Sequence, residues 1–145
     1  MIELVPIEKH MDIASIPEGT AKFNIELTIE YYERMGFIRP WISYLVNWQG
    51  KNVGICAFKG QPADDTAEIA YHTFPPYEGQ GFATTACEQL IRIARGENAG
   101  ISITARTLPE ENASTKVLKK NGFECMGRVM DPDDGEVFGW ILGNK

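Results

Sequence analysis

The spacing of hydrophobic residues changes from strand-like to helical within the N-terminal part of the chain. Residues 2–7 alternate loosely between apolar and polar and contain a proline, which predicts an edge strand followed by irregular polar chain through Asn24. From Ile25 to Met35 the apolar residues recur at helical spacing, and Gly36 then supplies a stop. This pattern predicts a short amphipathic helix over residues 25–36.

Three strand-like runs come next. Residues 41–48 and 53–58 are rich in β-branched and aromatic side chains, and residues 49–52 between them have the composition of a hairpin turn. A third run over 68–74 follows a turn-rich segment over 60–65. Consecutive strands joined by short turns predict an antiparallel meander.

A helical pattern returns after the third run. An apolar stripe over 83–94 predicts a second helix that ends near Gly96. The remaining predicted elements are a strand over 101–106, a helix over 112–121 closed by Gly122, and a hairpin with strands over 125–130 and 136–142. This order predicts an α+β fold, in which a mixed, mainly antiparallel sheet is flanked by helices.

Length and composition indicate one folded unit. The chain has 145 residues, of which 43% are hydrophobic and 23% are charged. These values are ordinary for a soluble globular protein with one hydrophobic core, so a single domain over 1–145 is expected. The net charge of −6 disfavours nucleic acid as a partner, because such binding draws on Lys and Arg. An acidic surface suits a cationic amine better.

Neither a signal peptide nor a membrane-spanning run is visible in the sequence, so no membrane association and a cytoplasmic location are expected. Cys56, Cys87 and Cys125 are odd in number and widely spaced, which predicts buried, reduced thiols. His10 and His72 add no plausible zinc geometry, so no metal is expected. The sequence leaves a monomer and a homodimer open.

A glycine loop over residues 77–84, with the sequence YEGQGFAT, joins the third run to the second helix. At such a junction, free backbone N–H groups and the positive end of the helix dipole can receive an anion. A Walker A loop would need Gly-Lys-Ser/Thr where Gly81, Phe82 and Ala83 stand, and a Rossmann fingerprint would need glycine or alanine in place of Thr84. The loop therefore predicts another kind of phosphate site, and the alternative is a plain strand-to-helix turn.

Residues 67–84 resemble the strand, loop and helix start that bind coenzyme A in the GNAT superfamily of N-acetyltransferases. Residues 114–123, with the sequence STKVLKKNGF, and the closing hairpin resemble the branch that contains the ribosomal-protein N-terminal acetyltransferases. The resemblance implies a GNAT-like fold, acetyl-coenzyme A as cosubstrate and an amine as acceptor.

The resemblance also implies which residues bind the coenzyme. Strand backbone around His72 and Phe74 is expected to bind pantetheine and the thioester carbonyl. Backbone N–H groups of the loop are expected to hold the pyrophosphate, and they belong to Gly79, Gln80, Gly81, Phe82, Ala83 and Thr84.

Two departures from the family pattern bear on coenzyme affinity. The first loop position, usually Gln or Arg, is Glu78 here and places an anion beside the phosphates. The asparagine usually found three residues before Ser114 is Glu111, and Asn112 follows one position later. Asn112 is thus the candidate for a contact to pantetheine.

Glu68 and Ser114 are the candidate catalytic residues. Glu68 matches the general-base glutamate of some GNAT members, and the alternative is a solvated strand residue paired with a cation. His72 shares that strand face and is a second titratable candidate. The family's helix tyrosine, which protonates the departing thiolate, is replaced by Leu118. Ser114 matches the serine that does this in the ribosomal-protein branch, and its alternative role is a helix cap.

The leading hypothesis is acetyl transfer from acetyl-coenzyme A to a primary amine, either a small amine or a protein N-terminus, by direct attack in a ternary complex. The acceptor is not identified, because acceptor specificity lies in the variable segment 10–41. Two alternatives stay open: a catalytically silent acyl-coenzyme A sensor or regulatory domain, and an interaction module that binds no coenzyme.

Overall fold

The computed structural model describes residues 1–16 and 18–143, which form seven strands and three helices. The strands are β1 (Ile2–Pro6), β2 (Ser43–Trp48), β3 (Lys51–Phe58), β4 (Thr66–Thr73), β5 (Ser102–Thr107), β6 (Glu124–Asp131) and β7 (Gly135–Leu142). The helices are α1 (Thr20–Met35), α2 (Phe82–Glu97) and α3 (Ala113–Lys120). All seven strands join one sheet in the order β1-β2-β3-β4-β5-β7-β6, in which β4 and β5 are parallel and every other pair is antiparallel. The predicted α+β fold is confirmed.

Strands β2, β3 and β4 form the predicted antiparallel meander, and β1 pairs antiparallel with β2 at the edge of the sheet, as predicted. Between β2 and β3 the chain reverses at Gln49 and Gly50, whose φ angles of 51° and 78° are both positive. Two-residue hairpin turns have positive φ at both central residues, and this conformation favours glycine at position 50. The turn is therefore shorter than the predicted 49–52, and β3 begins at Lys51.

Helix α1 begins at Thr20, earlier than predicted. The prediction followed apolar positions at helical spacing, but the first turn of α1 has no buried side chain, so that signal is missing there.

Tyr32, in the second half of α1, anchors this helix to the sheet. Its hydroxyl donates a hydrogen bond to the Ile7 carbonyl at 2.9 Å and accepts one from the Ser43 N–H at 2.9 Å. Because Tyr32 is buried, these bonds hold α1 against the edge of the sheet.

Helices α2 and α3 cover one face of the sheet. The predicted apolar stripe of α2 is buried there, with Cys87, Leu90 and Ala94 fully enclosed. The Tyr71 hydroxyl on β4 donates a hydrogen bond to the Ser114 carbonyl on α3 at 2.9 Å. Because side chains alternate along a strand, the odd-numbered side chains of β4 face these helices and the even-numbered ones project from the opposite face.

The parallel pair β4 and β5 separates partway along its length. The strands are paired from Thr66 and Ser102 to Ile69 and Ala105. Beyond that point β4 continues to Thr73 and β5 to Thr107. A gap thus opens between the carboxyl ends of two neighbouring strands, and backbone groups of β4 along it need a partner other than β5.

The expectation of three buried thiols is wrong for one of them. Cys56 and Cys87 are buried, but Cys125 is exposed. Cys125 lies on β6, an edge strand whose residues are mostly exposed, and a register shift interrupts its pairing with β7 just after Cys125. Burial raises the pKa of the Cys87 thiol to about 12 and also raises the pKa of Cys56. These two thiols are therefore neutral at physiological pH.

Candidate functional site

The unpaired end of β4 lines a cavity of about 310 Å³. Its other walls are the loop after β4, the first turn of α2 and one face of α3. The lining residues are Tyr71, His72, Thr73, Tyr77, Glu78, Gly79, Gly81, Phe82, Ala83, Thr84, Ala113, Ser114, Lys116, Val117 and Lys120. A concave space of this size, with a few convergent polar groups, is the usual form of a small-ligand site.

The N-terminal end of α2 has the features of an anion site. Gly79 and Gly81 have φ angles of 80° and 84°, a region that favours glycine, and a Cβ at either would meet no atom within 4 Å. The helical hydrogen bonds begin with the Thr85 N–H and the Gly81 carbonyl at 3.2 Å, and no side chain caps the helix. The N–H groups of residues 82–84 therefore lie at the positive end of the dipole without helical acceptors.

Lys116 and Lys120 bring two positive charges to this cavity. They lie one helical turn apart and so share a face of α3. Lys119 is instead paired with Glu111 at 2.8 Å. The sequence analysis did not assign Lys116 or Lys120 to the site, although their four-residue spacing was a usable signal. The two lysines offset the Glu78 carboxylate in the same lining.

Backbone groups of successive residues in a strand point alternately to its two neighbours, and this alternation determines which groups of β4 face the gap. The Phe74 N–H donates a hydrogen bond to the Val53 carbonyl at 2.9 Å. The Lys59 N–H, directly after β3, donates one to the Glu68 carbonyl at 2.8 Å. The even-numbered residues of β4 therefore direct their backbone groups at β3. The odd-numbered residues direct theirs toward β5, and Tyr71 and Thr73 lie past the end of the β4–β5 pairing.

The backbone groups that face the gap are therefore one residue away from those expected to bind pantetheine. His72 pairs with Ile55 on β3, and the Phe74 N–H is bonded to the same strand. His72 still lines the cavity, whereas Phe74 does not. Tyr71 and Thr73 take over this candidate role. Alternation along a single strand cannot reveal on which side of that strand the sheet opens.

Asn112, and not Ser114, caps α3. The Asn112 side chain accepts a hydrogen bond from the Thr115 N–H at 3.0 Å, and Thr115 Oγ1 accepts one from the Asn112 N–H at 3.0 Å, which completes a capping box. Within residues 1–16 and 18–143 the Ser114 hydroxyl makes no hydrogen bond, and Ser114 lines the cavity. The helix-cap alternative for Ser114 is thus wrong, and its hydroxyl is available to a ligand.

Two contacts hold α3 in place beside the cavity. At its start, Tyr71 bonds the Ser114 carbonyl, and burial raises the pKa of Tyr71 so that its hydroxyl stays protonated. At its end, the Asn121 side-chain amide donates to the Thr84 carbonyl at 3.2 Å and to the Val117 carbonyl at 3.0 Å. Because these hydrogen bonds fix the position of α3 relative to β4 and α2, they set the width of the cavity between them.

Glu68 lies outside the cavity, on the other face of β4 and beside the start of the gap. Its side chain is 25% exposed, and its Oε2 lies 3.0 Å from Lys59 Nζ but outside the angles of a hydrogen bond. On β5, Arg106 donates a hydrogen bond to Asp131 at 2.9 Å. This bond and two backbone N–H groups lower the pKa of Asp131 to about 2. Glu68 is thus ion-paired, with a second ion pair on the neighbouring strand.

The cavity brings together seven of the residues predicted from the sequence, which are His72, Gly79, Gly81, Phe82, Ala83, Thr84 and Ser114. Glu68, Phe74, Gln80 and Asn112 lie outside its lining. In the part of the chain that the structure describes, no group of three or more His, Cys, Asp or Glu side chains could hold a metal ion. No helix among those residues is long and apolar enough to cross a membrane.

Comparison with known proteins assigns the chain to a family. The sequence matches the acetyltransferase (GNAT) domain family over residues 7–124, and the chain belongs to that family. A search of curated proteins finds no match.

Solved structures share this fold at low sequence identity. A putative phosphinothricin N-acetyltransferase is 21% identical. The match covers 100% of this chain and 99% of that protein, with a TM-score of 0.71. A Salmonella typhimurium acetyltransferase that modifies the N-terminal serine of ribosomal protein L7/L12 is 17% identical over 86% of this chain and 74% of its own, with a TM-score of 0.65. The microcin C7 self-immunity acetyltransferase MccE, in complex with acetyl-CoA and AMP, is 18% identical. The match covers 85% of this chain and 69% of that protein, with a TM-score of 0.66. The GNAT fold expected from the resemblance is confirmed.

Proposed function

We propose that this protein transfers the acetyl group of acetyl-coenzyme A to a primary amine by direct attack in a ternary complex. The observation that carries the proposal is the cavity, in which the uncapped start of α2, two lysines and the free edge of β4 converge. Membership of the GNAT family supports acetyl transfer as the reaction. The acceptor is a small amine or the N-terminus of a protein.

The cavity offers a partner for each part of coenzyme A. The pyrophosphate would bind the N–H groups of residues 79–84, with Lys116 and Lys120 balancing its charge. The amide-bearing pantetheine arm would pair with the backbone of Tyr71 and Thr73 as an added strand does. A pantetheine contact from the Asn112 side chain would cost its bond to Thr115, so we assign that side chain to the cap.

Two side chains on opposite sides of β4 transfer the protons: Glu68 on the strand itself and Ser114 on α3. Glu68 accepts a proton from the acceptor ammonium, directly or through water, once the ammonium displaces Lys59. The neutral nitrogen attacks the thioester carbonyl carbon through the gap between β4 and β5, the C–N bond forms as the C–S bond breaks, and the nitrogen releases its second proton to solvent water to leave a neutral amide. Ser114 gives the departing sulfur its hydroxyl proton and regains one from solvent. Since a thiol has a pKa of about 8.5, this last step contributes modestly.

A catalytically silent acyl-coenzyme A sensor is the second candidate. Two observations favour it: Glu68 is already paired with Lys59, and Glu78 lines the end of the cavity where phosphates would bind. Both candidates require coenzyme binding, so turnover with an amine separates them.

The first experiment measures coenzyme binding by thermal shift. Saturating acetyl-coenzyme A should stabilise the protein by about 2.7 kcal/mol at a hundredfold excess over its Kd. Gly81→Glu should abolish the shift, because a carboxylate would enter the anion site. Gly81→Ala is the matched control, since it carries the same positive-φ strain at 84° without the charge. Absence of any shift with the wild-type protein would refute the coenzyme site.

The second experiment measures thiol release with a panel of primary amines. Glu68→Gln should lower turnover about 100-fold near neutral pH, and the defect should shrink at high pH, where the amine loses its own proton. Glu124→Gln, on the exposed edge strand, is the control and should be fully active. Coenzyme binding without thiol release for any amine would favour the sensor.

A further inference from the structure

Two ion pairs lie close together on the face of the sheet that carries Glu68. Lys59 directly follows β3, and its N–H bonds the Glu68 carbonyl at 2.8 Å, so the two residues are cross-strand neighbours. Their side chains approach to 3.0 Å between Lys59 Nζ and Glu68 Oε2. On β5, Arg106 Nη1 lies 2.9 Å from Asp131 Oδ2. The bond to Asp131 and, to a smaller extent, the negative charge of Glu68 raise the pKa of Arg106, so the two pairs are near enough to interact.

The two pairs differ in how completely their polar atoms are bonded. Asp131 also accepts the N–H groups of residues 133 and 134, so the Arg106–Asp131 pair is fixed in place. Glu68 Oε2 is enclosed by the protein but accepts no hydrogen bond from the residues that the structure describes. Lys59 is 43% exposed and can move. Because a buried acceptor without a donor costs free energy, a better-aligned ammonium can replace Lys59 at Glu68.

Small side chains surround Glu68 on this face. Glu68 and Thr104 are register partners in the parallel pair, and Ala70 is the next residue of β4 on the same face. Ala57 on β3 pairs with Ala70. Thr104, Ala70 and Ala57 are all partly exposed, so solvent reaches the surface of the sheet beside the start of the gap. A small molecule can therefore approach Glu68 there.

Charge balance indicates which kind of amine fits beside these ion pairs. The four side chains carry two positive and two negative charges. A simple ammonium at Glu68 would add one positive charge, and it would compete with Lys59 for one carboxylate. A molecule with a carboxylate next to its ammonium adds no net charge and offers Lys59 a new partner. In an α-amino acid these two groups are about 3 Å apart, so Lys59 needs to move by only about that distance.

We propose that the acceptor is an α-amino acid, whose ammonium takes the place of Lys59 at Glu68 and whose carboxylate binds the displaced Lys59. This inference rests on the proposed acetyl transfer. It narrows the acceptor to amines with an adjacent carboxylate, and it assigns Lys59 to acceptor specificity. A protein N-terminus has a neutral amide in place of that carboxylate and is therefore the poorer acceptor.

The test compares α-amino acids with their own amides, in which a neutral group replaces the α-carboxylate alone. The amino acids alanine, leucine, methionine and glutamate, each with its α-amide, cover different side groups. Thiol release from acetyl-coenzyme A gives kcat/KM for each. We expect the amino acids that are turned over to exceed their amides about fivefold to tenfold, mainly through KM, which is the size of one partly exposed ion pair. The amide is the less basic amine, so amine basicity works against this result.

Lysine variants locate the preference. Lys59→Met should lower kcat/KM for the amino acids about fivefold to tenfold and raise it for the amides, because their ammonium then meets no competing cation at Glu68. Lys59→Arg keeps the charge and should keep the preference. Lys51→Met, at the exposed first residue of β3, is the matched control and should behave as the wild type.

The outcomes separate this inference from the proposed function. Amides that equal or exceed their amino acids in the wild type, or a parallel change of both acceptor classes in Lys59→Met, would overturn the assignment alone. Turnover confined to amines without a carboxylate would do the same. If no primary amine releases thiol, or if acetyl-coenzyme A gives no thermal shift, the proposed acetyl transfer fails and this inference fails with it.

Discussion

Substituting Ser114 and Asn112 separately distinguishes a chemical role from a structural one. The two residues are neighbours at the start of α3, and the structure divides their tasks. Asn112 accepts the Thr115 N–H at 3.0 Å and completes the capping box. Ser114 lines the cavity at the end of β4 with a hydroxyl that no other described residue engages. We expect Asn112→Ala to lower stability and Ser114→Ala to lower turnover.

The magnitudes follow from what each side chain contacts. Loss of the Asn112 cap should lower the free energy of unfolding by about 1 kcal/mol. In a domain of this length that corresponds to a fall in Tm of about 4 °C. Ser114→Ala breaks no hydrogen bond of the folded protein, so its stability should stay within about 0.5 kcal/mol of the wild type. Its turnover should fall about tenfold to a hundredfold, the usual size of lost proton donation.

Thermal melting and thiol release at saturating acetyl-coenzyme A, measured on the same samples, check both expectations. Ser114→Thr keeps a hydroxyl and should recover most of the turnover that Ser114→Ala loses. Full turnover of Ser114→Ala would remove this residue from the mechanism. An equal loss of stability in the Ser114→Ala and Asn112→Ala variants would contradict the division of tasks at the start of α3.

Three further expectations concern charge and thiol chemistry. Replacing Lys116 and Lys120 together with alanine should weaken acetyl-coenzyme A binding about tenfold, less at high salt, and an unchanged Kd in calorimetry would exclude them from the site. With a thiol reagent at pH 8, the folded protein should expose Cys125 alone and the denatured protein all three cysteines; two or more fast thiols in the folded state would contradict this. Because Arg106 lowers the pKa of Asp131 to about 2, the pair's stabilisation is present above about pH 4 and is lost as pH falls through 2. The melting difference between wild type and Arg106→Gln should therefore close between pH 5 and 2, and a constant difference would refute the linkage.

Much of the fold could be predicted because local patterns were consistent with it. The apolar stripe of α2 determined which of its faces would be buried, and Cys87 and Leu90 are enclosed as that pattern requires. Gly50 indicated the hairpin turn between β2 and β3, because glycine readily adopts the positive φ of 78° that it has there. The glycine loop likewise predicted free backbone N–H groups at the start of α2, and the N–H groups of residues 82–84 have no helical acceptors there.

Other features had no local signature. The start of α1 at Thr20 was missed because its first turn has no buried side chain. Cys125 was expected to be buried, but its exposure depends on β6 being an edge strand. The presence of Lys116 and Lys120 in the cavity lining depends on the orientation of α3, which is set by contacts between distant residues such as Tyr71 and Ser114.

The division between sequence and tertiary structure is clearest on β4. The sequence by itself determined that Glu68 and His72 share a face, because alternation is a property of any strand. Tertiary structure alone decided that β5 diverges beyond Ile69 and that Tyr71 and Thr73 face the gap. A strand's backbone groups pair with whatever lies beside them, so their availability is set by neighbours that are distant in the chain.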